Sequence, residues 1–385
     1  MGAPRESGTA GWTMSGVGGR GALGFALASL LLGACASASV PVPSPTRSAP
    51  GMTETVVQSG LTVPWDIAFA SDGRMVVTER PGSIDVFAST APNAKRIASA
   101  QVAGIRAMGE AGLLGVALDP DFATSGLMFV CASRMDEGEW RDQILRYRLD
   151  RGTLGFDGYL LRAGIRAAGI HNGCRLRIGP DGKVWVATGD GGVPAKAQDP
   201  TSFNGKVLRL NLDGSVPSDN PVLHGATERT AVYALGLRSP SGLTFQPQTG
   251  TPFVVDAGEM TNDEIDEVYA GANFGWPMLS GNGGEGRGFA DPLWTSGTTT
   301  YGVAGAAFVS GDDWGSWSNS LFVATLKEQD LRRFNVDGMR VMPKEVLLDQ
   351  RYGRLRTLVV GPDGALYVTT SNGTADRIIR LTPTR

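Results

Sequence analysis

Histidine is nearly missing from this sequence of 385 residues: there are two, His171 and His224. That excludes an HExxH zinc site and any centre built on three imidazoles, while oxygen-ligated metals stay open. Charge is also sparse, at 19% of residues, and nearly balanced, with 38 acids against 35 bases. A chain of net charge −3 lacks the cationic surface that holds a phosphate backbone, so no nucleic-acid partner is expected. Cysteine occurs three times, at Cys35, Cys131 and Cys174. Helical periodicity is missing too. After residue 51, no stretch of about 12 residues keeps an apolar period near 3.6 without a glycine or proline, which excludes a two-domain α/β arrangement.

What the chain does have is 54 glycines, 22 prolines and 42% hydrophobic residues. That is enough apolar side chain for a large core, interrupted by many turns. Near the start, Arg20 precedes the apolar run Ala22 to Ala34, which is too short and glycine-broken for a membrane span and reads as part of a signal peptide over residues 1–34. Leu32-Gly33-Ala34-Cys35 resembles a bacterial lipobox, which would make Cys35 the lipidated first residue of the mature protein; the other reading is a plain signal peptide with a cysteine nearby. Small residues and prolines dominate 36–51, so residues 35–51 are expected to be a lipidated cysteine and flexible tether, and 52–385 the folded domain. Met14 would serve equally as the start. The expected location is extracytoplasmic, with membrane contact only through the lipid. Cys131 and Cys174 would then sit in an oxidising compartment and pair if the fold brings them together; otherwise they are two buried thiols.

A turn followed by a β-branched or alternating run recurs six times. The copies begin SDGRMVVTE, ATSGLMFVCAS, PDGKVWVATGD, PQTGTPFVVDA, SNSLFVAT and PDGALYVTT, aligned on Gly73, Gly126, Gly182, Gly250, Ser320 and Gly364 at unequal steps. Each reads as a hairpin within a small sheet. Such a sheet cannot cover its own apolar face, so the copies are expected to stack radially as an all-β, six-bladed β-propeller. A strand near Met52 to Leu61 is expected to pair with the run Arg377 to Leu381 and close the ring.

Four segments carry candidate chemistry. His171 lies in a polar, glycine-containing loop, where it is either a structural residue or a general base. Arg238 stands in the otherwise uncharged stretch from Ala234 to Leu243. Asp256, Glu259, Asp263, Glu264, Asp266 and Glu267 form an acid-rich segment, read either as a solvated turn or as a site for a hard cation with backbone carbonyls. Lys327 follows one strand, and Arg354 and Arg356 open another; arginines two apart share a strand face and suit a carboxylate or phosphate ligand.

The strings PWDIAF, GLLGVALDPDF, HNGCRL, GPDGKVWVATGD, GKVLRLN, ALGLRSPSGL, NFGWP, LFVATLK and RLRTLVVGPDGALYV are similar to those of the soluble pyrroloquinoline quinone (PQQ)-dependent aldose sugar dehydrogenases, over about Leu61 to Leu381 and in the same order. The resemblance implies a six-bladed propeller holding PQQ and calcium, with an aldose oxidised at its anomeric carbon to the lactone and an electron acceptor left unidentified. It implies His171 as the base, Arg238 as the cation facing charge that develops on the quinone, and Lys327, Arg354 and Arg356 as partners of the cofactor carboxylates. It further implies that the carbonyls of Gly258 and Glu259 bind the cofactor calcium, and that Glu264 with the Phe274 carbonyl forms a second calcium site.

Three departures stand beside the cofactor positions. Glu110 replaces a usual glutamine, Leu237-Arg238-Ser239 replaces histidine-arginine-asparagine, and Asp256-Ala257-Gly258-Glu259 replaces Glu-His-Gly-Pro. Two competing readings remain at this stage. One is a calcium-dependent propeller lactonase, which would need no cationic clamp. The other is a non-catalytic cell-surface propeller that binds a partner or glycan.

Overall fold

The computed structural model describes residues 52–384. The expectations for the signal peptide, for Cys35 and for the tether lie outside these residues. Within them, three of the predicted Asp-Gly turns close in the same way. The carboxylates of Asp72, Asp181 and Asp363 accept the N–H groups of Arg74, Lys183 and Ala365, two residues on. Gly182 and Gly364 hold φ of +70° and +74°, a region strained for any residue with a Cβ.

The strands these turns join form six four-stranded antiparallel sheets. Blade one comprises Pro64–Phe69, Met75–Glu79, Ser83–Phe87 and Arg96–Gln101; blade two comprises Leu113–Leu118, Leu127–Asp136, Glu139–Asp150 and Thr153–Leu161. Blade three is Gly173–Ile178, Val184–Thr188, Lys206–Leu210 and Val232–Leu235; blade four is Pro240–Phe245, Pro252–Asp256, Glu264–Glu267 and Trp294–Thr295. Blade five is Val303–Phe308, Leu321–Thr325, Leu331–Asp337 and Arg340–Leu347. Blade six takes Leu355–Val360, Leu366–Thr370 and Thr374–Pro383 and is completed by Met52–Thr62, which pairs Met52 with Pro383 and Leu61 with Asp376. The ring is therefore closed by the two ends of the domain, which removes two open sheet edges.

The first strand of each blade packs on that of the next, and blade six returns to blade one, giving the radial β-propeller. The second strands, such as Val184–Thr188 and Leu321–Thr325, are buried along their whole length and supply apolar residues to the clusters between blades. At the centre, Asp66 of blade one lies 2.7 Å from Arg175 and 2.8 Å from Arg177, both of blade three, and accepts a hydrogen bond from Thr357 of blade six. Burial pushes the Asp66 carboxyl up, but the two guanidiniums outweigh it and hold the group below its usual range. This ionic hub ties three blades across the axis. Among the described residues, no helix is long and apolar enough to cross a membrane.

Candidate active site

The start of a blade's first strand and the end of its second lie on the same face of the ring, and the loops there supply the predicted residues. Glu110 precedes the first strand of blade two, and His171 that of blade three; Arg238 and Ser239 precede that of blade four. Gly258 and Glu259 follow the second strand of blade four, Lys327 follows that of blade five, and Arg354 and Arg356 flank the start of blade six. All nine line one cavity of about 320 Å³, with Trp65 and Ser241 in its wall.

The base candidate is held from several sides. His171 has φ +55°, an uncommon conformation for a residue with a side chain. Its N–H donates to the Glu110 carboxylate at 2.6 Å, and its carbonyl accepts from Gly191 at 3.0 Å. A Cβ at Gly189 would collide with that carbonyl, which is why the loop after blade three's second strand needs glycine there. The next residue, Asn172, uses its side-chain amide to accept from Ala168 N–H and to donate to Ala168 C=O. Cys174, three residues past His171, is joined by a disulfide to Cys131 of blade two.

The His171 ring is ordered by a residue the sequence reading did not single out. Asp190 is fully buried and lies 2.9 Å from Nδ1. An ionised carboxylate there accepts the Nδ1 proton and leaves Nε2 with a free lone pair, the tautomer a base requires. The carboxylate is itself held by Trp276 Nε1 at 2.9 Å and Gly192 N–H at 2.7 Å. Asp190 ends the string GPDGKVWVATGD, so its position was visible in the sequence, but its partnership with a residue 19 positions earlier was not.

Arg238 sits across blade four. Its Nη1 donates to the carbonyls of Ala257, at 2.8 Å, and Gly258, at 3.1 Å, while Nε is buried without a partner. Asp256 fixes the backbone beneath it by accepting from Arg238 N–H at 2.7 Å and Ser239 N–H at 2.6 Å. Burial raises the Asp256 carboxyl to about 6 in spite of these donors.

The remaining wall is cationic. Burial first, and the neighbouring Arg354 next, push the Arg356 guanidinium down to about 10, with Arg80 adding to the effect and Glu110 opposing it. Arg356 Nε donates to Ser371 Oγ, and Lys327 Nζ to Thr300 C=O. Lys327, Arg354 and Arg356 on one wall form a cradle for an anion, and a polycarboxylate fits the donor set.

The predicted calcium residues fall in two places. Gly258 and Glu259 join the cavity, but the Gly258 carbonyl already accepts from Arg238, so a cation bound there would share that oxygen. Glu264 and Phe274 do not line the cavity. Glu264 lines a separate pinhole of about 10 Å³ beside Arg238 and Asp256, and its carboxylate accepts the Gly281 N–H. Phe274 is packed in the apolar core next to Val254 and Val268. Burial, followed by the charge of Asp256, raises Glu264 to about 8. Asp266 is pushed well above its usual range by burial and by Glu264, and both its carboxylate oxygens are buried without partners. This crowding fits neutralisation by a cation, although among the described residues no three histidine, cysteine or acidic side chains converge as a ligand set.

The glucose/sorbosone dehydrogenase family profile matches residues 61–380, and the chain belongs to that family. It is 29% identical to the aldose sugar dehydrogenase YliI of Escherichia coli K12, over 85% of this chain and 92% of the relative. Among solved structures, the PQQ-bound aldose sugar dehydrogenase of Streptomyces coelicolor superposes with a TM-score of 0.73 at 29% identity, covering 88% of this chain and 99% of that one. A candidate glucose dehydrogenase of Thermus thermophilus superposes with a TM-score of 0.76 at 35% identity, covering 86% and 100%.

Proposed function

We propose that this protein is a PQQ-dependent aldose dehydrogenase that oxidises the anomeric carbon of a sugar to the lactone. One observation carries the reading: a single cavity holds a carboxylate-ordered histidine together with Arg238, Lys327, Arg354 and Arg356. The PQQ-bound relative of Streptomyces coelicolor supports the choice of cofactor. When bound, the quinone supplies a two-electron acceptor for the hydride that leaves the sugar C1.

Lys327, Arg354 and Arg356 would hold the cofactor's carboxylates. His171 takes the proton of the anomeric hydroxyl on Nε2 as the hydride departs. Asp190 stabilises the resulting imidazolium, and Trp276 keeps Asp190 from turning away. Arg238 supplies fixed positive charge at the wall where negative charge develops. Calcium would be held by the carbonyls of Gly258 and Glu259, and a second ion by Glu264 and the Phe274 carbonyl. A lactonase would leave Lys327, Arg354 and Arg356 without a task.

The protein works outside the cytoplasm, tethered through Cys35 and passing electrons to an external acceptor. The Cys131–Cys174 disulfide supports an oxidising compartment. Metabolic labelling with a fatty acid should mark the wild-type chain and not Cys35→Ser. The activity is tested by loading purified protein with PQQ and calcium and supplying a panel of aldoses with a redox dye. Sugar-dependent dye reduction with lactone as product supports the reading, and no reduction with any aldose overturns it.

A further inference from the structure

A second cavity, of about 470 Å³, has a wall of its own. Its wall combines Glu139, Trp140 and Arg141 from the start of blade two's third strand, the loop 163–167, and Lys196 and Asn204 from blade three. The loop 163–167 runs directly into the segment that carries Asn172 and His171, so one stretch of chain borders both cavities.

The cations of this groove are not equivalent. Arg141 is engaged by Glu139 at 2.6 Å and by Asp136 at 3.4 Å, so its charge is matched. Arg166 is fixed at its backbone, where the Asn204 side chain accepts from its N–H at 2.8 Å and donates to its carbonyl at 2.9 Å. Its side chain is exposed and, among the described residues, has no carboxylate within ion-pair distance. Lys196 sits on the short 3₁₀ segment Pro194–Ala197, whose last two carbonyls accept from the buried Lys206 Nζ at 2.6 and 3.0 Å. Among the described residues Lys196 likewise has no carboxylate at ion-pair distance. Arg166 is thus unmatched, Lys196 shares its charge only with Asp199, whose carboxyl it helps to lower, and both are carried on immobilised backbone. Trp140 adds an aromatic wall, one face of which carries the Arg106 guanidinium at 4.6 Å from the ring centre, and its buried Nε1 has no acceptor.

Fixed and unpaired cations select an anion, while an aromatic wall beside amide and guanidinium donors is suited to a sugar ring. We propose that this groove is a subsite for a uronate unit, so that the preferred substrate is an acidic oligosaccharide whose reducing end is oxidised beside His171 while a carboxylate further along the chain rests between Arg166 and Lys196. The proposal rests on the dehydrogenase reading for its substrate direction, but the groove's own preference for an acidic glycan can be measured without turnover.

The test compares tri-galacturonate, maltotriose and glucose in the wild type and in Arg166→Ala/Lys196→Ala. With PQQ-loaded enzyme, the double variant should lose about tenfold in kcat/KM for tri-galacturonate, mainly through KM, and keep its rates on glucose and maltotriose. Calorimetry on protein without quinone should show tri-galacturonate binding that weakens by a similar factor in the double variant. Equal loss on all three sugars, or no change on tri-galacturonate, would overturn the proposal. So would inorganic phosphate competing at the same affinity as the trisaccharide, since the groove would then hold any small anion. If the loaded wild type oxidised no aldose while the calorimetric difference persisted, the dehydrogenase reading would fall and the acidic-glycan site would stand.

Discussion

Two regions of the propeller concentrate charge of opposite sign. In the main cavity Arg354 and Arg356 lie together, and burial first and Arg354 next push Arg356 down to about 10. In blade four Asp256, Glu264 and Asp266 crowd together, and Glu264 is pushed up to about 8. Arg238 stands between them, with its guanidinium bordering both cavities and its N–H held by Asp256. The contrast lies in how each region can be relieved. A carboxylic acid crowded by its neighbours can take up a proton near neutral pH, whereas a crowded guanidinium stays charged and needs a bound anion. On the proposed reading the cationic cavity takes an anionic ligand, while the acidic pocket can exchange protons for a metal ion.

The largest effect should come from the group that uses the filled cavity. His171→Asn should leave quinone affinity nearly unchanged and slow quinone reduction in a single turnover by roughly 10²–10⁴, the usual contribution of a positioned base. Full-rate reduction in a folded variant would move the base elsewhere, with Glu110, at 2.6 Å from the His171 N–H, the next candidate. Asp190→Asn should cost about 10–10² in the same step and shift its pH profile, because the imidazole loses its orienting acceptor. A purely structural Asp190 would lower melting temperature without moving that profile.

Smaller effects fall on stability. Replacing Cys131 and Cys174 with serine should cost about 2–4 kcal/mol, as read from denaturant unfolding. Activity should fall in step only if the His171 loop depends on the link. In the acidic pocket the sign follows from raised carboxyl pKa values. The folded protein binds more protons than the unfolded chain, so the contribution is most favourable below the unfolded carboxyl range and is lost as pH rises toward about 8. Quinone-free protein should accordingly melt a few degrees lower at pH 8 than at pH 5.5. Glu264→Gln should flatten that slope, and added calcium should raise the melting temperature of the wild type more at pH 8 than at pH 5.5. A wild type as stable at pH 8 as at pH 5.5 would break the comparison.

The blades were legible in the sequence because a single local device, an aspartate accepting the N–H two residues on across a positive-φ glycine, marks several of them. The fifth copy shows where this runs out. Ser320 is preceded by the 3₁₀ segment Asp312–Trp317 and by Asn319 at φ +65°, so that turn is a packed excursion and not a tight hairpin. His171 stood out as a rare residue, Arg238 as a charge in an uncharged stretch, Lys327 as the cation after a strand, and Arg354 and Arg356 as a pair of cations two apart. Asp190 did not, because it closes a string that reads as strand and gains its meaning only from His171 and Trp276 of other segments; Asp266 stood in the acid-rich segment, but its burial against Glu264 and Asp256 was not visible there. The unequal standing of Arg141, Arg166 and Lys196 was equally hidden, since it depends on which carboxylates the fold brings within reach.

The account is tested most directly by titrating PQQ, with calcium present, into purified protein while following the shifted quinone absorption in the wild type, Arg354→Ala and Arg356→Ala. Saturable one-to-one binding in the wild type is expected, with each variant weakened by about 1–3 kcal/mol for a lost charge-assisted hydrogen bond. No binding by the wild type, or equal affinity in all three proteins, would contradict the claim that the cationic cavity is built around this anion.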